Sequence, residues 1–145
     1  MTEPSGDLVV REAEPEDAPE IRSLVTRALL SAGLSPPEPT LDADLVDLGY
    51  YRVPGRGLWV AERAAVVVGC AAMDRGEAGA AVLRRLSGGG LDALVSTALD
   101  FAAAQGVAVV ETVLPPGLPG TRDALQRAGF ESPPGASSLL LRRTV

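Results

Sequence analysis

The apolar positions of this chain change period as it proceeds, and the changes mark its elements. Asp7 to Glu12 (DLVVRE) reads as a short strand. Ala18, Ile21, Leu24, Val25, Ala28, Leu29 and Ala32 then recur every three or four residues, the spacing of one helix face. Pro15 suits the first turn of that helix, Glu16 and Asp17 complement its positive end, and Gly33 closes it. Consecutive prolines make SPPEP, residues 35–39, a stiff connector. Thr40 is a candidate N-cap for a second helix carrying Leu41, Leu45 and Leu48 on one face, with Asp42 and Asp44 early and Tyr50 and Tyr51 at its end. A lid with only transient helix is the alternative for this region.

Farther along, the pattern is that of strands. Leu58 to Glu62 and Ala65 to Met73 read as two strands joined through Arg63 and Ala64, a pair ill suited to the positive φ of a tight hairpin. Gly69 inside the second strand marks a bulge or the close approach of another backbone. DRGEAG turns the chain into a third strand, Ala80 to Ser87, completing an antiparallel meander. Three glycines, Gly88 to Gly90, lead into a helix with Leu91, Leu94, Val95, Ala98, Leu99 and Ala102 on one face and Gly106 at its end. Val107 to Val113 comes next as a β-branched strand, which this helix can set parallel to the Ala80 strand. A short helix over Thr121 to Ala128, terminated by Gly129, and a last strand over Ser138 to Arg143 complete the chain. The order is β-α-α-β-β-β-α-β-α-β, predicting one domain over residues 1–145 of the α/β (α+β) class: a mixed, twisted sheet with helices on both faces.

Composition narrows the chemistry. Only 3% of the 145 residues are aromatic although 46% are hydrophobic, so the core must be built from Ala, Val and Leu. No apolar run approaches the ~20 residues needed to cross a bilayer, and no signal peptide is visible, so a cytoplasmic protein without a membrane partner is expected. A net charge of −6, with no stripe of Lys, Arg and aromatics, argues against nucleic acid. With no His and a single Cys, the chain has neither an imidazole base nor a thiolate metal site, and no metal is expected. Catalysis would rest on carboxylates, Tyr, Ser or Thr, Cys70, backbone dipoles or a bound cofactor. The Gly88–Gly90 turn leaves backbone N–H groups at a helix N-terminus, where an anion can sit.

The element order and its anchor segments together resemble the GNAT superfamily of acyl-CoA-dependent N-acyltransferases over nearly the whole chain. VREAEPEDAPEIRSLV is similar to the family's opening strand and helix, LWVAE and VVVGCAAM to its second and third strands, and AAVLRRLS to its fourth. ALVSTALDFAAAQG is similar to the helix after the cofactor loop, and LQRAGFE to the late helix-to-strand junction. The resemblance implies two parallel strands splayed apart, here Ala80–Ser87 and Val107–Val113, with the pantetheine arm of acyl-CoA in the gap and its pyrophosphate on the loop before the helix. On that reading Leu86, Ser87, Gly88, Gly89, Gly90 and Leu91 bind acetyl-CoA as acyl donor. The expected function is transfer of an acyl, and specifically acetyl, group to a small amine or protein amino group, with homodimerisation open. The departures are equally specific. The glycine loop is several residues shorter than the family's and lacks its basic residue, which Arg84 and Arg85, inside the strand, do not replace. The family's thiolate-protonating Tyr, five residues before Phe130, is Leu125, and its fourth-strand Glu corresponds to Val82. A catalytically inactive module that binds CoA or a partner protein is therefore the second reading, and a subunit pairing through the edge of the last strand the third.

Each candidate has a plain structural alternative. Gly88–Gly90 is a pyrophosphate seat or a connector that lets strand and helix pack closely. Glu111, sharing a strand face with Val109 and Val113, is a catalytic base or a solvated carboxylate. Tyr51, with Tyr50, is a phenolic acid or acceptor-site wall, or core packing. Ser87 aims its hydroxyl at the cofactor or ends its strand, Cys70 reads as a buried inert thiol, and Trp59 as core or sheet surface.

Overall fold

The computed structural model describes residues 7–38, 42–135 and 140–145. Nine regular elements occur in order among them: β1 (Val9–Glu12), α1 (Ala18–Ser31), β2 (Gly57–Arg63), β3 (Val66–Arg75), β4 (Ala80–Gly88), α2 (Leu91–Ala104), β5 (Val109–Val113), α3 (Pro119–Arg127) and β6 (Leu140–Thr144). The strands lie in sequence order in one sheet. All neighbours are antiparallel except β4 and β5, which run parallel because α2 carries the chain back between them. The expected mixed sheet is thus observed.

Each face of the sheet is covered by helix. On one, Leu94, Val95, Ala98 and Ala102 of α2 and Leu125 of α3 bury against Trp59, Ala71, Met73, Leu83, Val110 and Leu141. On the other, Ile21, Leu24 and Val25 of α1 cover Leu58, Val60, Cys70 and Ala72 together with Leu45, Leu48 and Tyr51. The α1 stripe begins after an Asp17 carboxylate that accepts from the Glu14 N–H (2.8 Å) and from Arg11 (2.8 Å). It continues beyond the core: Ala28 and Leu29, only partly buried, line a cleft between β4 and β5.

The second helix is a correction. Thr40 and Leu41 lie outside the described residues, and beyond them the chain forms two short 3₁₀ turns, Ala43–Leu45 and Leu48–Tyr51. Leu45 and Leu48 are buried as the apolar spacing required. The acidic side chains take partners that an α-helix would not offer. Asp47 accepts from the Gly49 N–H (2.9 Å), and Asp44 turns inward to Arg85. Such local side-chain bonds compete with the helical ladder.

Two irregularities in β3 and β4 distort the sheet beside the cleft. A register shift in the β2–β3 ladder pairs Ala61 with Gly69 and Glu62 with Val67, leaving Val68 unpaired on β2. In the β3–β4 ladder, Cys70 faces Ser87 and Ala72 faces Arg84, so Ala71 alone opposes Arg85 and Leu86. This is a β-bulge with Arg85 at φ 60°.

The β2–β3 turn falls one residue later than expected, on Ala64 and Ala65, at φ 52° and 64°. Both alanines therefore occupy the left-handed region that side chains resist, at roughly 1 kcal/mol each. The double substitution Ala64→Asn with Ala65→Gly should raise stability by about 1–2 kcal/mol, since an Asn-Gly pair favours this turn. Thermal unfolding followed by circular dichroism should show a midpoint several degrees higher; an unchanged or lowered midpoint would contradict the strained turn.

Candidate functional site

β4 and β5 are paired only at their beginnings. The parallel ladder joins Ala80, Ala81 and Val82 to Val109, Val110 and Glu111, and beyond these positions no pairing connects the two strands. β4 nevertheless continues to Gly88 and β5 to Val113. The strands separate into a cleft of about 180 Å³. Arg84 to Ser87 form one wall, Thr112 to Pro115 the other, with Val25, Ala28 and Leu29 of α1 on one side and Thr121 and Leu125 of α3 on the other. An outer groove of about 520 Å³ shares Ala28, Ser87, Leu118 and Thr121 with this cleft and adds Leu24, Arg27, Ser31, Gly88 and Val66 to Val68.

The lining has a clear electrostatic character. The chain holds 19 Asp and Glu against 13 Lys and Arg, yet no carboxylate lines the cleft or the outer groove among the described residues. The hollow beside β1, by contrast, carries Glu12 and Glu14. The carboxylates nearest the cleft are bound to arginines. Asp44, 6% exposed, meets Arg85 at 2.8 Å and accepts the Tyr51 hydroxyl at 2.6 Å, and Asp42 meets Arg85 at 2.7 Å. Asp74 is held by Arg56 (2.8 Å) and Arg84 (3.3 Å) and accepts the Tyr50 hydroxyl. The bulge makes this possible: consecutive residues of a regular strand point to opposite faces, whereas Arg84 and Arg85 both reach acids on the α1 side.

The residues singled out from sequence divide between the cleft and its surroundings. Leu86 and Ser87 line the cleft, and Ser87 and Gly88 line the outer groove; Gly89, Gly90 and Leu91 line neither. The glycines are packed against the sheet. A Cβ on Gly88 would lie 2.3 Å from the Val68 carbonyl oxygen, and one on Gly69 would lie 1.9 Å from that of Gly89. The unpaired Val68 carbonyl accepts the Gly89 N–H at 2.7 Å, so that amide is committed to β3. Gly90 sits against Leu8 and Ala61, away from the cleft.

Glu111 and Tyr51 are not brought to the cleft. Glu111 pairs with Arg142 across the β5–β6 ladder, at 2.5 Å, on a partly exposed face. Tyr51 is buried, and burial together with its bond to Asp44 pushes its phenol well above the usual tyrosine value. Cys70 is fully buried; burial pushes its thiol up to about 12, and the Sγ–H donates to the Arg85 carbonyl oxygen. Leu125 is completely buried and reaches the cleft, so the position that resemblance assigns to a phenol is apolar. Among the described residues no three of His, Cys, Asp or Glu gather to hold a metal, and no helix is long and apolar enough to cross a membrane. Sequence reasoning missed the α1 contribution, Arg27, Ala28 and Leu29, and that of Thr112 and Thr121. The extension of the α1 apolar stripe beyond the length needed for the core was the available signal.

Comparison with solved structures places the fold. An acetyltransferase of the GNAT family from Staphylococcus aureus Mu50 superposes with a TM-score of 0.80 at 13% identity, over 95% of this chain and 99% of that one. A GNAT acetyltransferase from Streptococcus pneumoniae gives 0.74 at 17% identity, covering 96% and 99%. A GNAT-superfamily phosphinothricin acetyltransferase from Sinorhizobium meliloti, solved in complex with acetyl-CoA, gives 0.76 at 16% identity, covering 95% and 88%. The chain shares its fold with these GNAT-family structures. No family model and no curated protein sequence matches it.

The Asp44–Arg85 pair has a consequence for acid stability. Burial raises the Asp44 carboxyl, but the bonds from Arg85 and Tyr51 outweigh it and hold its pKa below the ordinary value. Asp74 is likewise held low, burial being outweighed by Tyr50 and Arg56, and Asp17 is held low chiefly by Arg11. A carboxyl whose folded pKa is depressed contributes stability that is complete above the unfolded value of roughly 4 and fades as pH falls through the folded one. Denaturant stability should therefore be level from about pH 6 to 8 and fall below about pH 4. Asp44→Ala should lower it by about 3 kcal/mol at neutral pH, leaving Arg85 short of a buried partner, and flatten the acid limb. An Asp44→Ala protein as stable as the parent at neutral pH would refute the role given to this pair.

Proposed function

We propose that this protein is an acyl-CoA-dependent N-acyltransferase that moves an acetyl group to an amine. The observation that carries the reading is the separation of β4 from β5 into a narrow, carboxylate-free cleft within a GNAT fold. Such a cleft suits an extended, uncharged pantetheine arm: apolar walls cover its methylenes, and two strands without mutual pairing leave backbone groups to meet its amides. The acetyl-CoA complex of the Sinorhizobium meliloti acetyltransferase supports the same donor.

The reaction is direct. A neutral amine attacks the thioester carbonyl, an N–C bond forms, the C–S bond breaks, and the amine proton passes through water to the departing thiolate. Proximity and alignment of the two reactants supply up to ~7–11 kcal/mol in well-oriented systems. In this reading, main chain freed from the β3 ladder by the bulge at Arg85–Leu86 would offer an N–H to the developing oxyanion. Glu111 and Tyr51, engaged with Arg142 and Asp44, act in this reading through the sheet and the core.

Among the described residues no carboxylate lines the cleft, so the neutral fraction of the acceptor sets the pH dependence. The rate should rise about tenfold per pH unit up to the amine's own pKa; a plateau well below that pKa would reveal a protein base.

One observation favours the inactive module as a second reading: Leu125 fills the position of the resemblance's proton donor. Calorimetric titration with acetyl-CoA, followed by turnover with a panel of amines, separates the two. Binding with turnover supports the enzyme, binding without it supports a CoA-binding module, and no binding at millimolar ligand overturns both of these and leaves the module that binds a partner protein. Leu125→Tyr should raise turnover of the enzyme by around 10²-fold, the low end of the general-acid range, with little change in acetyl-CoA affinity.

A further inference from the structure

The glycine turn is poorly placed to receive the diphosphate of acyl-CoA. The Gly89 N–H is held by Val68, Gly88 is pressed on β3, and Gly89 to Leu91 line neither the cleft nor the groove that extends it. A strongly charged group leaving an apolar cleft needs a cation or a set of donors to replace its water. Among the described residues one charged side chain lines the outer groove, Arg27, on the last turns of α1. It is exposed, it donates to the Ser23 carbonyl of its own helix at 3.4 Å, and no carboxylate pairs with it among the described residues. Ser31, Ser87 and Thr121 line the same groove and add hydroxyls to its lining. The other arginines near the cleft, Arg84 and Arg85, are bound to Asp74, Asp42 and Asp44.

We infer that Arg27 is the anchor for the diphosphate of the acyl-CoA donor, taking over from helix α1 the task that the shortened glycine loop does not perform. The inference rests on the acyl-CoA reading above and adds the residue and the route: from the cleft, past Ser87 and Thr121, into the outer groove. A guanidinium offers paired N–H donors that match phosphate oxygens, and it needs no help from the loop's amides. Placing an unpaired cation in a groove free of carboxylates, on a protein of net charge −6, gives an anion a local site that the overall charge would deny it.

The test compares CoA with pantetheine, which shares the arm and thiol but lacks the diphosphate and nucleotide. Calorimetry on the wild type, Arg27→Gln and Arg27→Lys would give the dissociation constants of both ligands. Arg27→Gln should weaken CoA at least tenfold and leave pantetheine unchanged, with Arg27→Lys recovering most of the CoA affinity. The thermal midpoint should not move, since the side chain is exposed. Equal CoA affinity in Arg27→Gln and wild type would overturn the inference while leaving the acyl-CoA reading standing. Parallel loss of CoA and pantetheine would also overturn it, showing Arg27 to act on the cleft as a whole. If the wild type bound neither ligand, the acyl-CoA reading would fall, and this anchor with it.

Discussion

The geometry of this protein turns on the unequal pairing of β4. On one side β4 accompanies β3 to its last residue, Gly88; on the other it meets β5 for three residues and then parts from it. The bulge at Arg85 lies on the stretch that has parted. A side chain at φ 60° costs of order 1–3 kcal/mol and persists only where its surroundings hold it. Here the hold is the pair of carboxylates, Asp42 and Asp44, that meet the guanidinium from the 3₁₀ region, with Tyr51 closing the far side of Asp44. The same ion pairs that fix the bulge therefore fix one wall of the cleft. Stability and cleft shape are coupled through a single residue's backbone.

That arrangement also sorts charge. On the acyl-CoA proposal, an acidic chain must keep its carboxylates from the surface that meets the anionic donor or neutralise them. Asp42, Asp44 and Asp74 are each tied to arginine, and the ties to Arg85 are largely shielded from solvent. Unlike surface pairs, such contacts are weakly screened by salt. Among the described residues, the cleft and groove are left with cationic and neutral lining only. Glu111 belongs to a different regime. Its pair with Arg142 is partly exposed and ties β5 to β6, whose outer edge is itself engaged at Arg142 by the backbone of Glu131. The last strand is thus less open to a partner than its SLLLRR pattern suggested.

Much of the fold was legible because its signals are local. The α1 and α2 stripes, the glycines that end them and the β-branched strands each carry their own period, and the parallel pair came from a helix of suitable length between two strands. Where local pattern misled, a contact distant in sequence decided. Asp44 left the helical ladder for Arg85, 41 residues away, and no period in 40–51 encodes that partner. The walls of the candidate cleft were legible, and the packing of the glycine turn was not. Leu86 and Ser87 face the cleft as expected from the end of β4, but a glycine triplet looks the same whether it opens toward phosphate or closes onto a strand. What distinguishes them here is a register shift in β3 that frees the Val68 carbonyl, and the missing side chains of Gly69 and Gly88, which let loop and strand approach. Gly69 was read as a bulge or a close approach; both occur, one residue apart.

The apolar residue at Leu125 bears on chemistry less severely than it first suggests. Thiols have an ordinary pKa near ~8.5, so a thiolate leaves at neutral pH without the full protonation that an alkoxide would need. A general acid at that position improves a step that already proceeds, which places its benefit toward the lower end of the usual range. Removal of the amine proton is the more demanding event, and a cleft without carboxylates leaves it to solvent. The enzyme envisaged here accelerates by alignment and by backbone donors, elements that survive when reactive side chains are lost. For such an enzyme the alignment of the bound donor with the amine is the main source of acceleration. The positioning of its diphosphate, more than the identity of any acid or base, is where selection of residues such as Arg27 would act.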